Sequence, residues 1–376
     1  MVVPSFPKLS ETFIASKFLK LLSQGWDVQV VCGESKPAEW KYFPELDQYP
    51  QARGRVKVSW PHRPHWLVAL LIPVAVLSCL CRNPCGTWHY WLKGSRQFGL
   101  LGMIRRLYLD ADILALSPDL VHFEFGALAV GRMHLKQLLR CKIITSFRGY
   151  DLNVCELEKV DCYRKIWESA DAIHLLGEDL WQRAQQRGCP PDKRHALISP
   201  AIDTDFFKPA LRQHREDALE RPLRILSVGR LEWKKGYEYA IQAVRLLRDL
   251  GVPCEYHIIG QGSFMEPLAF ARHQLAMPAE VHFLGALPPR EVRERMLAAD
   301  IFLHAAVSEG FCNAVMEAQA MAMPVVCTDA DGLPENVADG ETGFIVPRRN
   351  AAALAEKLAT LARDPALRRH IGEAGR

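Results

Sequence analysis

The segment Ser308-Glu309-Gly310-Phe311-Cys312-Asn313-Ala314-Val315-Met316-Glu317 sets two carboxylates eight positions apart around the start of a helix-forming run, Asn313–Ala322. Free N–H groups and the dipole at a helix start make an anion site. A carboxylate accepts hydrogen bonds from sugar hydroxyls, so this pair could hold a sugar on each side of a bound phosphate. The surroundings of Glu317 (Ala314, Val315, Met316, Ala318, Ala320, Met321) are apolar, and a charge buried among them needs a partner. The plainer alternative makes Glu309 a helix-start acid and Glu317 an exposed helix charge. The apolar setting of Glu317 argues against it.

Three earlier segments fit the same chemistry. Val228-Gly229-Arg230-Leu231, followed by Lys234-Lys235-Gly236, brings a guanidinium and an ammonium to a strand end, a combination suited to a diphosphate. Alone it would read as a solvated turn. Ile259-Gly260-Gln261-Gly262-Ser263 lets the backbone approach a ligand closely but lacks the full dinucleotide fingerprint. Phe283-Leu284-Gly285-Ala286-Leu287-Pro288 is another strand-to-loop end that could present backbone groups to a nucleobase.

Such residues need parallel strands to carry them, because ligands of open α/β sheets sit outside the carboxyl ends of the strands. The chain reads that way throughout. Strands are expected at Val28–Cys32, Leu120–Phe123, Ile143–Ser146, Ala172–Leu176 and His195–Ile198, then at Arg224–Val228, Glu255–Ile259, Val281–Leu284, Ile301–His304 and Pro324–Cys327. Thr12–Gln24, Tyr237–Leu250 and Pro289–Ala299 read as helices between them. A chain of 376 residues exceeds one ordinary core. The polar stretch Asp205–Pro222 divides it into domains 1–204 and 223–376, with 205–222 as linker. Both ends look abrupt: Met1-Val2-Val3 is short for a first strand, and Gly375-Arg376 follows directly on a helical pattern.

Composition is that of an ordinary soluble protein, 49% hydrophobic and 24% charged. Eleven irregularly spaced cysteines and no opening secretory signal suggest reduced cytosolic thiols. Cys79, Cys81 and Cys85 resemble a metal clip but lack a second ligand pair, which favours structural thiols. Residues 1–200 carry 26 Lys+Arg against 19 Asp+Glu, whereas residues 201–376 carry 21 against 24. From Gln48 to Leu109 there are nine basic residues and no acid. Within that stretch Trp66–Cys81 is almost wholly apolar. It is shorter than the ~20 residues of a spanning helix and interrupted by Pro73. Trp60, Trp66, Trp88 and Trp91 flank it. Aromatic rings and basic residues together point to peripheral attachment at an anionic membrane surface. The alternative is a helix buried in the first domain with a solvated basic rim. No nucleic-acid motif accompanies the charge, so no nucleic-acid partner is expected.

The order Val-Gly-Arg-Leu, Lys-Gly, Gly-x-Gly, Phe-Leu-Gly, Glu-Gly-Phe with Glu317 eight positions after Glu309, Pro324-Val325-Val326 and Gly332-Leu333-Pro334-Glu335 resembles the family-4 retaining glycosyltransferases. Phe6-Pro7-Lys8-Leu9-Ser10-Glu11-Thr12-Phe13 resembles the opening of their colanic acid and exopolysaccharide branch. The resemblance implies a GT-B fold, α/β with two Rossmann-like domains facing an interdomain cleft: an N-terminal acceptor domain and a C-terminal nucleotide-sugar domain. It makes Arg230 and Lys235 the diphosphate-binding pair, Glu309 the contact to donor-sugar hydroxyls and Glu317 the ribose ligand. Gly260, Gly262, Leu287, Gly310, Phe311, Cys312 and Asn313 complete the donor side, with the amides of the last three on the diphosphate.

The acceptor half departs from the family pattern. His122-Phe123-Glu124-Phe125-Gly126 keeps the first of two usual histidines, and Phe147-Arg148-Gly149-Tyr150-Asp151 has Arg148 where many members have histidine. Ser10, Glu11, His122, Arg148 and Asp151 are carried over as acceptor-side residues, although a satisfied core histidine is an equal reading of His122. The function so implied is transfer from a UDP- or GDP-sugar, with retention, to a lipid-linked saccharide on the cytoplasmic face of the cell membrane. The positive groups take the place of a metal. Asp203-x-Asp205 has a metal-pair spacing but lies at the domain crossover, so neither metal nor cofactor is expected. Two rivals stay open: a nucleotide-sugar epimerase of this fold, and a non-catalytic nucleotide-sugar-binding subunit. Relatives commonly close with a helix crossing back to the first domain, and that helix is expected to be missing here.

Overall fold

The computed structural model describes residues 1–209 and 221–376. It divides into two compact units, Met1–Leu175 with Trp181–Ile198, and Leu176–Leu180 with Ser199–Arg376. The first contains β1 (Val2–Ser5), β2 (Val30–Glu34), β3 (Val56–Val58), β4 (Leu120–Phe123), β5 (Lys142–Phe147), β6 (Ala172–Leu175) and β7 (His195–Leu197). These strands form one sheet in the order β3-β2-β1-β4-β5-β6-β7, every pairing parallel. The second contains β8 (Leu223–Val228), β9 (Cys254–Ile259), β10 (Val281–Gly285), β11 (Ile301–His304), β12 (Val325–Thr328) and β13 (Gly343–Val346), in the order β10-β9-β8-β11-β12-β13. These pairings are parallel too.

Parallel strands covered by helices on both faces need apolar side chains on both, and the second unit shows it residue by residue. Ile225, Ile301 and Leu303 point into the layer packed on helix Tyr237–Asp249, with Ile241 and Leu247. Their neighbours Leu226 and Phe302 point into the opposite layer, with Val315 and Met321. In both sheets the chain winds outward in one direction and then returns to the middle to wind the other way. The turning points lie between β1 and β4, and between β8 and β11. A crevice opens at the carboxyl ends of such a strand pair, which is where ligands of doubly wound sheets bind.

Each strand expected from the sequence is present, with ends shifted by at most two residues, and β3 and β13 are additional edge strands. Most of the interval between β3 and β4 is helical. Helix His65–Arg82 packs against helix Pro84–Leu114, which is broken at Gly99 where φ is 67°. The first of these buries Ala75 and Cys79 but leaves Trp66 and Leu70 each 66% exposed and Leu77 61% exposed. Among the described residues only one narrow face of the Trp66–Cys81 run has a partner, which speaks against the buried-helix alternative. Of the stretch read as a linker, 205–222, residues 210–220 lie outside the described residues. Phe206 and Phe207 at its start pack into the core of the second unit, as two adjacent aromatic rings would be costly to leave in water.

Candidate functional site

The crevice between β8 and β11 gathers most of the donor-side residues. After β8 the chain continues through Gly229 and the exposed Arg230 into a short turn, Trp233–Lys235. Gly236 ends that turn at φ 60°, and a Cβ there would lie 2.1 Å from the Ala305 carbonyl oxygen. Only glycine permits this approach of the Lys235 turn to the chain leaving β11. Val307 and Ser308 N–H both donate to the Lys234 carbonyl, tying the two loops together. Lys235 Nζ consequently meets Glu309 Oε2 in a direct ion pair, each side chain 12% exposed. Burial alone would raise the Glu309 carboxyl, but Lys235 and His304 override it and hold the group well below the usual carboxylate range.

The Glu309 loop is braced from behind. Asp331 accepts from Ser308 Oγ at 2.6 Å and from Glu309 N at 3.2 Å, while its other oxygen receives Arg348 Nη1 at 2.8 Å. Helix Asn313–Ala320 starts directly after Cys312 and points its first amides, which have no acceptor within the helix, toward the same crevice end. The Cys312 amide is already taken, donating to Asn336 Oδ1 at 3.1 Å. This corrects the expectation that it would be open to a diphosphate: Asn336 occupies it by reaching in from the neighbouring turn. Gly310 is buried behind the helix start, while Phe311 and Asn313 are half-buried beside it.

Glu317 lies one helical turn beyond Asn313. It is half-buried, and among the described residues its carboxylate makes no hydrogen bond or ion pair. Burial with nothing to offset it raises the group to about 7. A carboxylate left so is a standing cost that a bound hydroxyl-bearing ligand would relieve. On the other side of β8, Gly260 N–H donates to the Gly285 carbonyl at 2.8 Å. A Cβ at Gly260 would lie 1.9 Å from the Gly229 oxygen, and one at Gly262 would lie 2.2 Å from the Leu231 oxygen. Both glycines thus hold the loops after β8 and β9 in backbone contact. Leu287 is half-buried and packs on the core beside them.

In the first unit, the ends of β4, β5 and β6 carry a polar network. Glu124 is 0% exposed. Its oxygens receive Lys17 Nζ at 2.5 Å and Arg148 Nη2 at 3.2 Å. Burial opposes its charge, yet the Lys17 ammonium and the Arg148 guanidinium bring the carboxyl down to about 2. Arg148 also donates to the Glu124 carbonyl at 3.1 Å and stacks over the Phe13 ring, 4.1 Å from its centroid. Lys17 has only protons to give, so His122 Nδ1, 3.1 Å away, is an acceptor and Nε2 carries the proton. His122 then donates to Ser146 Oγ at 2.8 Å, Ser146 donates to His174 Nδ1 at 2.8 Å, and His174 Nε2 donates to the Ile198 carbonyl at 3.0 Å. Both ring nitrogens of His122 are therefore occupied, and burial keeps it neutral by lowering it to about 3.

Of the other acceptor-side residues, Asp151 is buried, and its two oxygens accept the Ala127 and Arg148 amides, each at 2.9 Å. That is a helix-capping role, with no oxygen turned to solvent. Glu11 pairs with Lys8 at 2.6 Å while its buried Oε2 has no partner among the described residues; Ser10 is exposed. Sequence reading did not single out Lys17, Ser146, His174, His304, Asp331, Asn336 or Arg348. Glu124 stood inside a quoted motif, and an acid ending an apolar strand was the available signal.

Residues 211–376 match the family model for glycosyl transferases group 1. The chain is 31% identical to the colanic acid biosynthesis glycosyltransferase WcaL of Salmonella typhimurium, over 95% of this chain and 89% of that protein. It is 28% identical to the amylovoran biosynthesis glycosyltransferase AmsK of Erwinia amylovora, over 96% of this chain and 89% of AmsK. Among solved structures, Anabaena HepE in complex with UDP-glucose has a TM-score of 0.72, covering 100% of this chain and 92% of HepE at 15% identity. Sucrose-phosphate synthase of Thermosynechococcus elongatus has 0.70, over 97% and 86% of the two chains at 18% identity. The architecture is that of GT-B.

Proposed function

The chain belongs to the group 1 glycosyltransferases, and from that premise we propose that it transfers a sugar, with retention, from a UDP- or GDP-sugar to a lipid-linked saccharide in exopolysaccharide synthesis. The observation that carries the reading is the Lys235–Glu309 pair at a helix start whose second carboxylate, Glu317, has no partner among the described residues. The diphosphate would lie against Lys235, Arg230 and the helix start. Glu309 would then exchange part of its contact with Lys235 for sugar hydroxyls, and Glu317 would take the ribose. HepE, of the same fold, is known in complex with UDP and with UDP-glucose, which supports a donor of this class.

The positive charge is suited to the moment the bond to the leaving diphosphate breaks, when negative charge grows on its oxygen. Retention then follows from front-face displacement, with that oxygen receiving the acceptor proton. Lys235, Arg230 and the helix start supply this stabilisation with no catalytic metal required of the protein. Neither an epimerase nor a non-catalytic subunit would move sugar to acceptor. The test is calorimetric screening of UDP- and GDP-sugars, followed by NMR of the product formed with a lipid-linked acceptor extract. Binding without transfer would support the subunit reading, and an inverted anomeric coupling would overturn retention.

The same reading includes peripheral attachment to the cytoplasmic face of an anionic membrane. Trp66, Leu70, Val74, Leu77 and Leu80 recur every three or four residues along helix His65–Arg82, all exposed, and Trp88 and Leu92 are exposed on the next helix. Arg63, Arg82, Lys93, Arg96 and Arg105 are exposed around them with no acid in the stretch. Helix His65–Arg82 is long and apolar enough to cross a membrane by composition. Its contact with helix Pro84–Leu114 through Ala75 and Cys79 favours lying along the surface instead. Each basic residue near such a surface contributes about 1 kcal/mol. Anionic vesicles should sediment the protein, less so in high salt or after charge reversal at Arg96 and Arg105. Equal sedimentation with neutral vesicles, or none with either, would discard attachment by this route.

A further inference from the structure

Behind Glu309 stands a set of side chains that holding a donor does not call for. His304 closes β11, an otherwise apolar strand, and is 3% exposed. Its Nε2 lies 3.4 Å from Cys312 Sγ and 3.5 Å from Glu309 Oε2. All three atoms fall within 4.8 Å of one another. One imidazole nitrogen here faces a sulfur and a carboxylate oxygen at once, and a single ring proton can satisfy only one of them.

We propose that His304, Glu309 and Cys312 form a binding site for a thiophilic divalent cation, zinc foremost, whose occupation shuts out the sugar donor. Zinc bonds run about 2.0–2.2 Å to nitrogen and oxygen and about 2.3 Å to sulfur in a tetrahedron. Ligand atoms around one ion are therefore about 3.3–3.7 Å apart, and the two distances to His304 Nε2 already match. An imidazole, a carboxylate and a thiolate together select zinc or cadmium over magnesium, which takes oxygen ligands. Thiolate and carboxylate also balance the ion's two charges. Three protein ligands leave the fourth position to water, as at an open zinc site.

The consequence for the donor follows from Lys235. Its ammonium sits on the same Glu309 oxygen the ion would take, and a divalent ion on that oxygen repels it. Lys235 is pushed off that oxygen, and Glu309 turns its charge from sugar hydroxyls to the ion. Donor and zinc then compete. The binding itself stands on geometry alone, whereas this competition rests on the function proposed above.

Cadmium reports its own coordination through the ultraviolet thiolate-to-metal charge-transfer band. The titration is best done in a Cys81→Ser, Cys85→Ser background, which removes two exposed thiols from competition. One equivalent of Cd2+ should raise the band in the full chain. Cys312→Ser should abolish it, and His304→Gln should weaken binding by more than the roughly 10–100-fold typical of losing a group that merely supports a ligand. X-ray absorption of the zinc-loaded background protein needs no buried substitution and should give one sulfur among four light neighbours. A band unchanged by Cys312→Ser, or a zinc shell without sulfur, overturns the site. UDP should displace the cadmium and Zn2+ should raise the apparent donor KM. A Cys312-dependent band that UDP cannot displace supports the metal site and overturns the donor's placement at Lys235 and Glu309 instead.

Discussion

Glu317 offers a stability measurement that is independent of any assay for sugar transfer. Its carboxyl rests at about 7 in the fold against 4.5 for an ordinary glutamate, and burial is the cause. The folded chain therefore holds this proton more tightly than the unfolded chain does. The sign follows: below pH 4.5 both states are protonated and nothing is lost, between 4.5 and about 7 stability falls as pH rises, and above that the penalty is complete. Its size is about 3 kcal/mol. Glu317→Gln keeps the volume and removes the charge. In urea unfolding of the donor-free chain it should match the wild type at about pH 4.5 and exceed it by about 3 kcal/mol at about pH 8. Comparing the two proteins at each pH cancels every other titrating group. A difference that stays below about 1 kcal/mol across this range would refute the reasoning. It would mean that solvent or an undescribed partner already satisfies the carboxylate.

The same variant should bind UDP more weakly, since charged hydrogen bonds to ribose contribute roughly 1.5–3 kcal/mol each. A loss of about tenfold or more in affinity is expected from calorimetry. Stability gained and affinity lost at one residue is the pattern of a group kept for a ligand. An inert surface glutamate would show neither change.

Arg230→Ala and Lys235→Ala should each lower kcat, by about 10²–10³ if they act on the leaving group, and activity should survive EDTA; complete, metal-reversible loss would contradict this. Gly260→Ala should cost about 3 kcal/mol or more, because its Cβ meets the Gly229 backbone oxygen. Gly251→Ala, at φ 80° with open space around it, should cost only the left-handed strain of about 1 kcal/mol, both read by thermal unfolding. Lys17→Met leaves a fully buried Glu124 short of one partner and should destabilise by about 3–5 kcal/mol. Because that carboxyl sits at about 2, the stability it contributes in the wild type is present above pH 4.5 and lost as pH falls toward 2. The variant should show a shallower acid transition.

Strands buried on both faces were legible from their apolar runs, as at Ile301–His304. The edge strands were not. Val56-Lys57-Val58 is three residues long with a lysine at its centre, and Gly343–Val346 opens on glycine. The helix after the Glu309 loop ends at Ala320, two residues before the sequence suggested, since Ala322 takes φ 54° and turns the chain. Local sequence rates alanine a helix former and cannot see that turn.

The proposed donor site was more readable than the polar network of the first unit, for a reason that lies in its chemistry. Arg230, Lys235, Glu309 and Asn313 sit at strand ends and a helix start, so their geometry follows from short segments whose order in the chain is informative. Lys17 and Glu124 are 107 residues apart and meet only because the helix after β1 packs beside the end of β4. His122 reaches His174 through Ser146, one residue from each of three adjacent strands. A motif that spans a single loop can name neither partner. His304 sits between the two cases: only eight residues from Cys312, yet hidden as the last residue of an apolar strand. Its meaning depends on which way a strand end faces, and strand pairing alone fixes that. Side chains brought together by sheet topology are where sequence reading loses the chemistry, and the His304 cluster, in contact with Glu309 of the proposed donor site, is an instance.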